Sequence, residues 1–342
     1  DRSDLSLAYT PGIAEVCKLI QTDEQAMFTH TFRRNNLAVI SDGSAVLGLG
    51  NIGHKASYPV MEGKAMLFKR FADIDAVPII VNTQDVDEFV ETVAHIADSF
   101  AAINLEDISA PRCFEIERRL VERLDMPVMH DDQHGTAVVV LAAVLNALEL
   151  LPHQGKATRV VLSGAGAAGM AVARMLIAAG FTNLVISDSR GAVHAGRTDL
   201  TAEKVELLQQ TNPDHLTGSL QEVIKGAGIF IGVSRPATLT PEMIRSMAAR
   251  PIVIAMANPI PEIMPDLAQE AGVGLIATGR SDFANQVNNA LAFPGIFRAA
   301  IDAHAKITQE MKVAAAEAIV EYHHPQLRID NLMPSIMDEQ IH

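Results

Sequence analysis

The stretch RVVLSGAGAAGMAVARMLIAAGFTNLVISD, residues 159–188, constrains the fold more than any other part of the chain. RVVLSG is a short β-branched strand, after which Gly164, Gly166 and Gly169 follow in G-x-G-x-x-G spacing. AGMAVARMLIAAG is a helix with small residues on the face that must approach a sheet, closed by Gly180, and NLVISD is the next strand. That strand ends on Asp188, 19 residues beyond Gly169. A bound dinucleotide needs these parts in this order: a turn tight enough to aim backbone N–H groups at a pyrophosphate, then a carboxylate for the ribose hydroxyls. Structural glycines alone would explain the turn but not the acid. The expected cofactor-binding residues are Gly164, Ala165, Gly166, Ala167, Ala168, Gly169 and Asp188. Arg190, two residues past the acid, could neutralise a 2′-phosphate, so NAD and NADP are both expected to work.

A second copy, Gly48, Gly50 and Gly53 in GLGNIG, has the spacing without the context. Ahead of it, LAVISDGSAVLG has two apolar segments joined by Asp42-Gly43, which reads as a hairpin. Pro59 falls where the first turns of a phosphate-binding helix should be, and Asp73 and Asp75 precede the strand AVPIIV instead of ending it. This copy is expected to be a substrate-side loop.

Beyond Asp188 the strands IFIGVS, PIVIAMA and GLIATG alternate with helical TPEMIRSMAA and IPEIMPDLAQEA, the pattern of a doubly wound parallel sheet. Upstream, AVPIIV, AAINLE and MPVMHDD are separated by VDEFVETVAHIADSF and APRCFEIERRLVERL, which makes a second α/β unit. The expected fold is therefore α/β. Residues 1–130 form an N-terminal α/β substrate and metal domain, and residues 131–288 a Rossmann-type doubly wound parallel-sheet dinucleotide-binding domain. Residues 289–342 form a C-terminal helical segment that packs back on the first domain. A length of 342 residues suits more than one such unit. The net charge of -14, with Lys and Arg scattered, argues against a nucleic-acid surface. HGTAVVVLAAVLNALELL is bounded by Asp and His and reads as a buried helix, so no membrane span is expected. Cys17 and Cys113 suit free thiols in a reducing compartment, the cytoplasm by default.

Two neighbouring strand ends carry acids, Glu106-Asp107 and Asp131-Asp132. In an open α/β sheet the working groups sit at such ends. Four carboxylates there repel unless a cation lies between them, and an all-oxygen set favours Mg²⁺ or Mn²⁺. Both pairs also stand just before helices, where Asp is a favoured cap, and capping is expected to occupy one acid of each. His130 and His134 read as polar residues of the strand-to-helix junction and are left out. Tyr9 precedes a Pro-Gly turn, and Lys64 stands at the start of an apolar helix. Burial and a nearby metal would lower the lysine's pKa and make it a usable base. As ordinary residues, Tyr9 would pack and Lys64 would be a solvated helix-end cation.

Taken in order, YTPG, DGSAVLGLGNIG, EGK, INLED, HDDQHGTA, GAGAAG and ANP resemble a malic enzyme over about residues 5–297. The likeness is greatest to the compact bacterial type, some members of which continue into a phosphotransacetylase-like region; that would account for the abrupt end at His342. The resemblance implies oxidative decarboxylation of L-malate to pyruvate and CO₂ with reduction of NAD(P), dependent on Mg²⁺ or Mn²⁺, in a homodimer or higher homo-oligomer. By motif position it implies Glu106, Asp107 and Asp132 as metal ligands, with Asp131 behind them. Lys64 is then the general base and Tyr9 the general acid, while Asn258 and Asn288 meet substrate and nicotinamide. One departure is plain. Animal-type members have an arginine for a substrate carboxylate where this chain has Ala45, so carboxylate recognition must come from elsewhere, such as main-chain N–H groups of the Gly48 to Gly53 loop. The alternatives are a regulatory nucleotide-binding module that kept the fold and lost the chemistry, or a related 2-hydroxy-acid oxidoreductase. Retention of Tyr9, Lys64 and all three presumed ligands argues against the module.

Overall fold

The computed structural model describes residues 1–46, 48–151 and 155–342. Three short helices come first, α1 (Arg2–Ala8), α2 (Ile13–Thr22) and α3 (Ala26–His30). The first α/β unit follows as β1 (Asn36–Ser41), α4 (His54–Ala72), β2 (Asp75–Ile80), α5 (Val86–Ile96), β3 (Ala102–Leu105), α6 (Arg112–Arg123) and β4 (Val128–His130). Its sheet has the order β2, β1, β3, β4 with every pair parallel, as helical crossovers between successive strands require.

The long helix α7 (Asp131–Leu150) leads into the second unit: β5 (Val160–Ser163), α8 (Ala167–Ala178), β6 (Leu184–Asp188), β7 (Gly191–Ala192), α9 (Ala202–Leu208) and α10 (Leu220–Val223). It continues as β8 (Ile229–Gly232), α11 (Pro241–Ser246), β9 (Ile252–Ala255), α12 (Pro265–Glu270) and β10 (Leu275–Thr278). The strand order is β10, β9, β8, β5, β6, β7, and only the two-residue β7 runs antiparallel. Finally α13 (Phe293–Ala303) packs on α4, and α14 (Gln309–His323) on α7 and α8.

Both sheets are covered on two faces, so their strands read as continuous apolar runs. The central core is shared: Leu37 and Val39 of β1, Phe68 of α4, Val138 to Val144 of α7, Leu162 of β5 and Phe293 of α13 belong to one buried cluster. Long and apolar enough to cross a membrane, α7 spends that character on this core instead.

Two local expectations fail here. Among the described residues the sequence around Asp42-Gly43 forms no hairpin, because β1 is a single strand followed by a glycine loop ahead of α4, with an isolated Val46–Gly50 bridge. The reason lies in side-chain and main-chain bonds within the loop. Asp42 Oδ1 accepts the Ser44 N–H at 3.0 Å, and the Gly43 carbonyl accepts N–H groups from Ile52 and Gly53, which folds the loop onto itself. Gly43, at φ 70°, has no room for a side chain, since a Cβ would come within 2.3 Å of the Gly53 carbonyl oxygen. Second, α4 runs through Pro59, and Lys64 is an interior residue of it, not its start.

Candidate active site

The carboxyl edge of the first sheet collects the acids. Glu106 and Asp107 follow β3, Asp131 and Asp132 open α7 directly after β4, and β3 and β4 are hydrogen-bonded neighbours. Neither pair caps a helix, contrary to expectation: α6 begins after Pro111, and α7 is preceded by His130 without a side-chain cap. One carboxylate oxygen each from Glu106, Asp107 and Asp132 lie within 4.8 Å of one another. Glu106 and Asp107 are buried and Asp132 half-buried. Asp107 holds a left-handed φ of 54°, an uncommon conformation for a residue with a side chain and one that clusters at functional sites. Its N–H donates to Asp132 Oδ2 at 2.8 Å and its carbonyl accepts from Ala45, so the glycine loop is seated on the cluster.

Lys64 reaches this cluster from α4. Its Nζ lies 2.6 Å from Asp131 Oδ2 and 2.9 Å from Glu106 Oε1, and 4.3 Å above the Phe293 ring. It is buried, not solvated. The expected lowering of its pKa is not found: burial lowers it, but Asp131 and Glu106 at contact distance outweigh burial and hold the ammonium charged. Burial pushes Asp131, Asp132 and Glu106 upward, with Lys64 opposing in each case. The crowded carboxylate oxygens of Glu106, Asp107 and Asp132 fit a hard divalent cation by donor chemistry as well as position.

Asn289 was not foreseen. Its Nδ2 donates to Asp131 Oδ2 at 2.5 Å, while the neighbouring Asn288 turns its Oδ1 to the Ala290 N–H and caps its own short helix. The doubled asparagine in QVNNALAFPG was the available signal, and the structure brings the second of the two to the acids.

Behind the acids, Glu117 of α6 anchors the start of α7. It accepts the His130 N–H at 2.8 Å, Gln133 Nε2 at 3.1 Å and His134 Nε2 at 3.0 Å. His134 Nδ1 in turn meets Lys312 Nζ of α14 at 3.0 Å, so the ring bridges Glu117 of α6 and Lys312 of α14. Glu117 sits at about 2, since burial would raise it but His134 and His130 outweigh that. Nothing in the spacing of Glu117 and Lys312 marks them apart from surface charge.

Across the cleft stands the edge of the second sheet. Gly164 (φ 120°) turns between β5 and α8, and Gly169 packs so closely that a Cβ there would lie 1.9 Å from the Gly164 carbonyl oxygen. Ala165 to Ala168 line the same turn. Asn258 follows β9 and is exposed, and a Cβ at Gly48 would lie 3.0 Å from its carbonyl oxygen, so the Gly48 loop approaches the segment that follows β9. Buried Glu262 secures this rim by accepting the Ser234 and Ala257 N–H groups, each at 3.0 Å. Asp188 and Arg190 lie at the end of β6, but each is already paired: Asp188 with Arg197 and Lys204, Arg190 with Asp199. Tyr9 is not brought to the cleft. It is 68% exposed beside α1 and α2.

The comparisons with known proteins agree with this layout. Residues 1–121 match the model of the malic enzyme N-terminal domain, and residues 133–340 that of the malic enzyme NAD binding domain. The chain is 54% identical to an NAD-dependent malic enzyme of Geobacillus stearothermophilus, over 99% of this chain and 71% of that protein. It is 51% identical to an NADP-dependent malic enzyme of Halomonas elongata, over 92% of this chain and 75% of that protein. A crystal structure of the NAD-dependent malic enzyme from Thermotoga maritima superposes with a TM-score of 0.97 at 47% identity, covering 100% of this chain and 90% of that one. With both domain models matched in order over the two sheets just described, the chain belongs to the malic enzyme family.

Proposed function

We propose that this chain catalyses the metal-dependent oxidative decarboxylation of L-malate to pyruvate and CO₂, with reduction of NAD or NADP, at the cleft between the two sheet edges. The observation that carries the reading is Lys64, buried at contact distance from Asp131 and Glu106, beside the cluster of Glu106, Asp107 and Asp132. A nucleotide-binding module without chemistry would have no use for that arrangement. Residues 1–130 carry the lysine and the β3 acids, residues 131–288 the dinucleotide side, and residues 289–342 the helices that pack back on α4 and α7.

Glu106, Asp107 and Asp132 would hold Mg²⁺ or Mn²⁺. When bound, the cation would supply Lewis acidity toward the substrate and the nicotinamide a hydride acceptor. Lys64 takes the C2 hydroxyl proton, having first passed one across its 2.6 Å contact to Asp131 Oδ2, and Asn289 keeps that carboxylate in place. Within the Gly48 to Gly53 loop, the N–H groups of Leu49, Ile52 and Gly53 are spent on the loop itself. Gly50 is bridged to Val46, while the N–H groups of Gly48 and Asn51 take no protein partner among the described residues and are offered to a substrate carboxylate in place of the missing arginine. Tyr9 protonates C3 once CO₂ has left, and it does so in the cleft of a second copy. In support, α2 buries no residue of its own, and Leu5, Leu7, Tyr9, Ile13 and Leu19 are all exposed, apolar side chains that a second copy would cover. A homodimer follows, as does a cytoplasmic setting in keeping with two free cysteines.

Supplied with malate, Mn²⁺ and either cofactor, the protein should form pyruvate and reduced cofactor in equal amounts, and EDTA should abolish both. Full turnover in EDTA, or reduction without pyruvate, would remove this reading.

A further inference from the structure

The acid that ends β6 is saturated. Asp188 Oδ1 accepts the Arg190 N–H at 2.9 Å and Arg197 Nη1 at 2.8 Å, while Oδ2 accepts Arg197 Nη2 at 3.0 Å and Lys204 Nζ at 2.6 Å. A carboxylate has about four lone-pair sites, and all four are taken. At the end of the second strand of a dinucleotide fold, a free carboxylate in this place accepts the ribose hydroxyls and repels a 2′-phosphate. Asp188 cannot do the first without surrendering a charge-assisted bond, and it cannot do the second with two cations lying against it.

The surroundings add to this. Arg197 is clamped between Asp188 and Asp199, with Nε 2.9 Å from Asp199 Oδ1. Arg190 also turns to Asp199, at 3.0 Å, but its side chain is 70% exposed and free to swing. Three cations, Arg190, Arg197 and Lys204, face two carboxylates, Asp188 and Asp199, which leaves one unit of positive charge at this edge. That excess is placed where the adenosine ribose of a cofactor seated on the Gly164 turn would lie.

We infer that this edge is a 2′-phosphate subsite, so that the chain selects NADP over NAD, with Lys204 and Arg190 as the residues that meet the phosphate. The inference rests on the dinucleotide site proposed above and names which cofactor that site prefers. Arg197 serves to neutralise Asp188, which the sequence alone presents as an acceptor for NAD.

Binding of two small probes to the full chain separates the possibilities without any turnover. Adenosine 2′,5′-bisphosphate and 5′-AMP differ by the 2′-phosphate. By titration calorimetry the bisphosphate should bind about tenfold tighter or more, the worth of one charge-assisted contact. Lys204→Met and Arg190→Met, both at positions with solvent access, should each shrink that ratio while leaving 5′-AMP affinity unchanged or higher, because Lys204→Met frees one acceptor of Asp188. Comparable binding of the two probes by the unaltered chain, or an unaltered ratio in both variants, would overturn the selectivity and leave the dinucleotide site standing. Failure of both probes to bind would overturn the site and the selectivity together.

Discussion

Asp131 receives Lys64 and Asn289 on one oxygen, and that shared contact makes a strong demand on position. With Asn289 removed, Asp131 keeps only the lysine, and both side chains gain freedom exactly where a proton must be exchanged. Asn289→Ala is therefore expected to lower kcat/KM about 10–100-fold, as loss of a supporting hydrogen bond commonly does, with little change in cofactor affinity. Wild-type kinetics in that variant would show Asp131 to be held by Lys64 alone. The acids themselves were legible in the sequence, because a carboxylate pair at each of two strand ends is hard to explain otherwise. Asn289 was harder to find, since choosing between two adjacent asparagines depends on a backbone turn that no spacing encodes. The direction of the Lys64 shift was likewise hidden: sequence places a lysine near acids, but only contact distances decide whether burial or ion pairing wins.

Helix α7 presents Asp131 and Asp132 from its first turn, and Glu117 fixes that turn through the His130 N–H, Gln133 and His134. The Glu117 carboxyl is held at about 2 against an ordinary 4.5. A depressed carboxyl pKa contributes stability that is complete above the ordinary value and is lost as pH falls through the folded one. The contribution is of order 3 kcal/mol. Glu117→Gln should thus be less stable than the unaltered chain in urea at pH 7, with the gap closing between about pH 5 and pH 2. A gap of constant size over that range would mean that Glu117 acts through packing and not through its charge. At this scale the parallel strands, their helices and the second glycine turn could all be read from apolar periodicity and punctuation. The β1 to α4 connection could not, because Asp42-Gly43 is a hairpin signal locally, and the loop's own bonds to Gly43 override it.

Over the whole molecule, the cleft holds every group that the proposed chemistry needs except one. The lysine, the carboxylates and the glycine turn adjoin a shared core, whereas Tyr9 stands outside, exposed among the other exposed apolar residues of α1 and α2. Sequence could rank Tyr9 beside Lys64 through their motifs, but which chain's cleft it enters is a matter of quaternary geometry that a single chain does not spell out. The central claim is that Lys64 of one copy and Tyr9 of another complete each site. It is tested most directly by mixing two inactive variants, Tyr9→Phe and Lys64→Ala, after unfolding and refolding them together. In a mixed dimer one site then pairs an intact lysine with an intact tyrosine, so random assortment should restore about a quarter of wild-type malate turnover. If the mixture stays as inactive as its separate components although mixed dimers form, Tyr9 and Lys64 do not meet across two copies, and the account is contradicted.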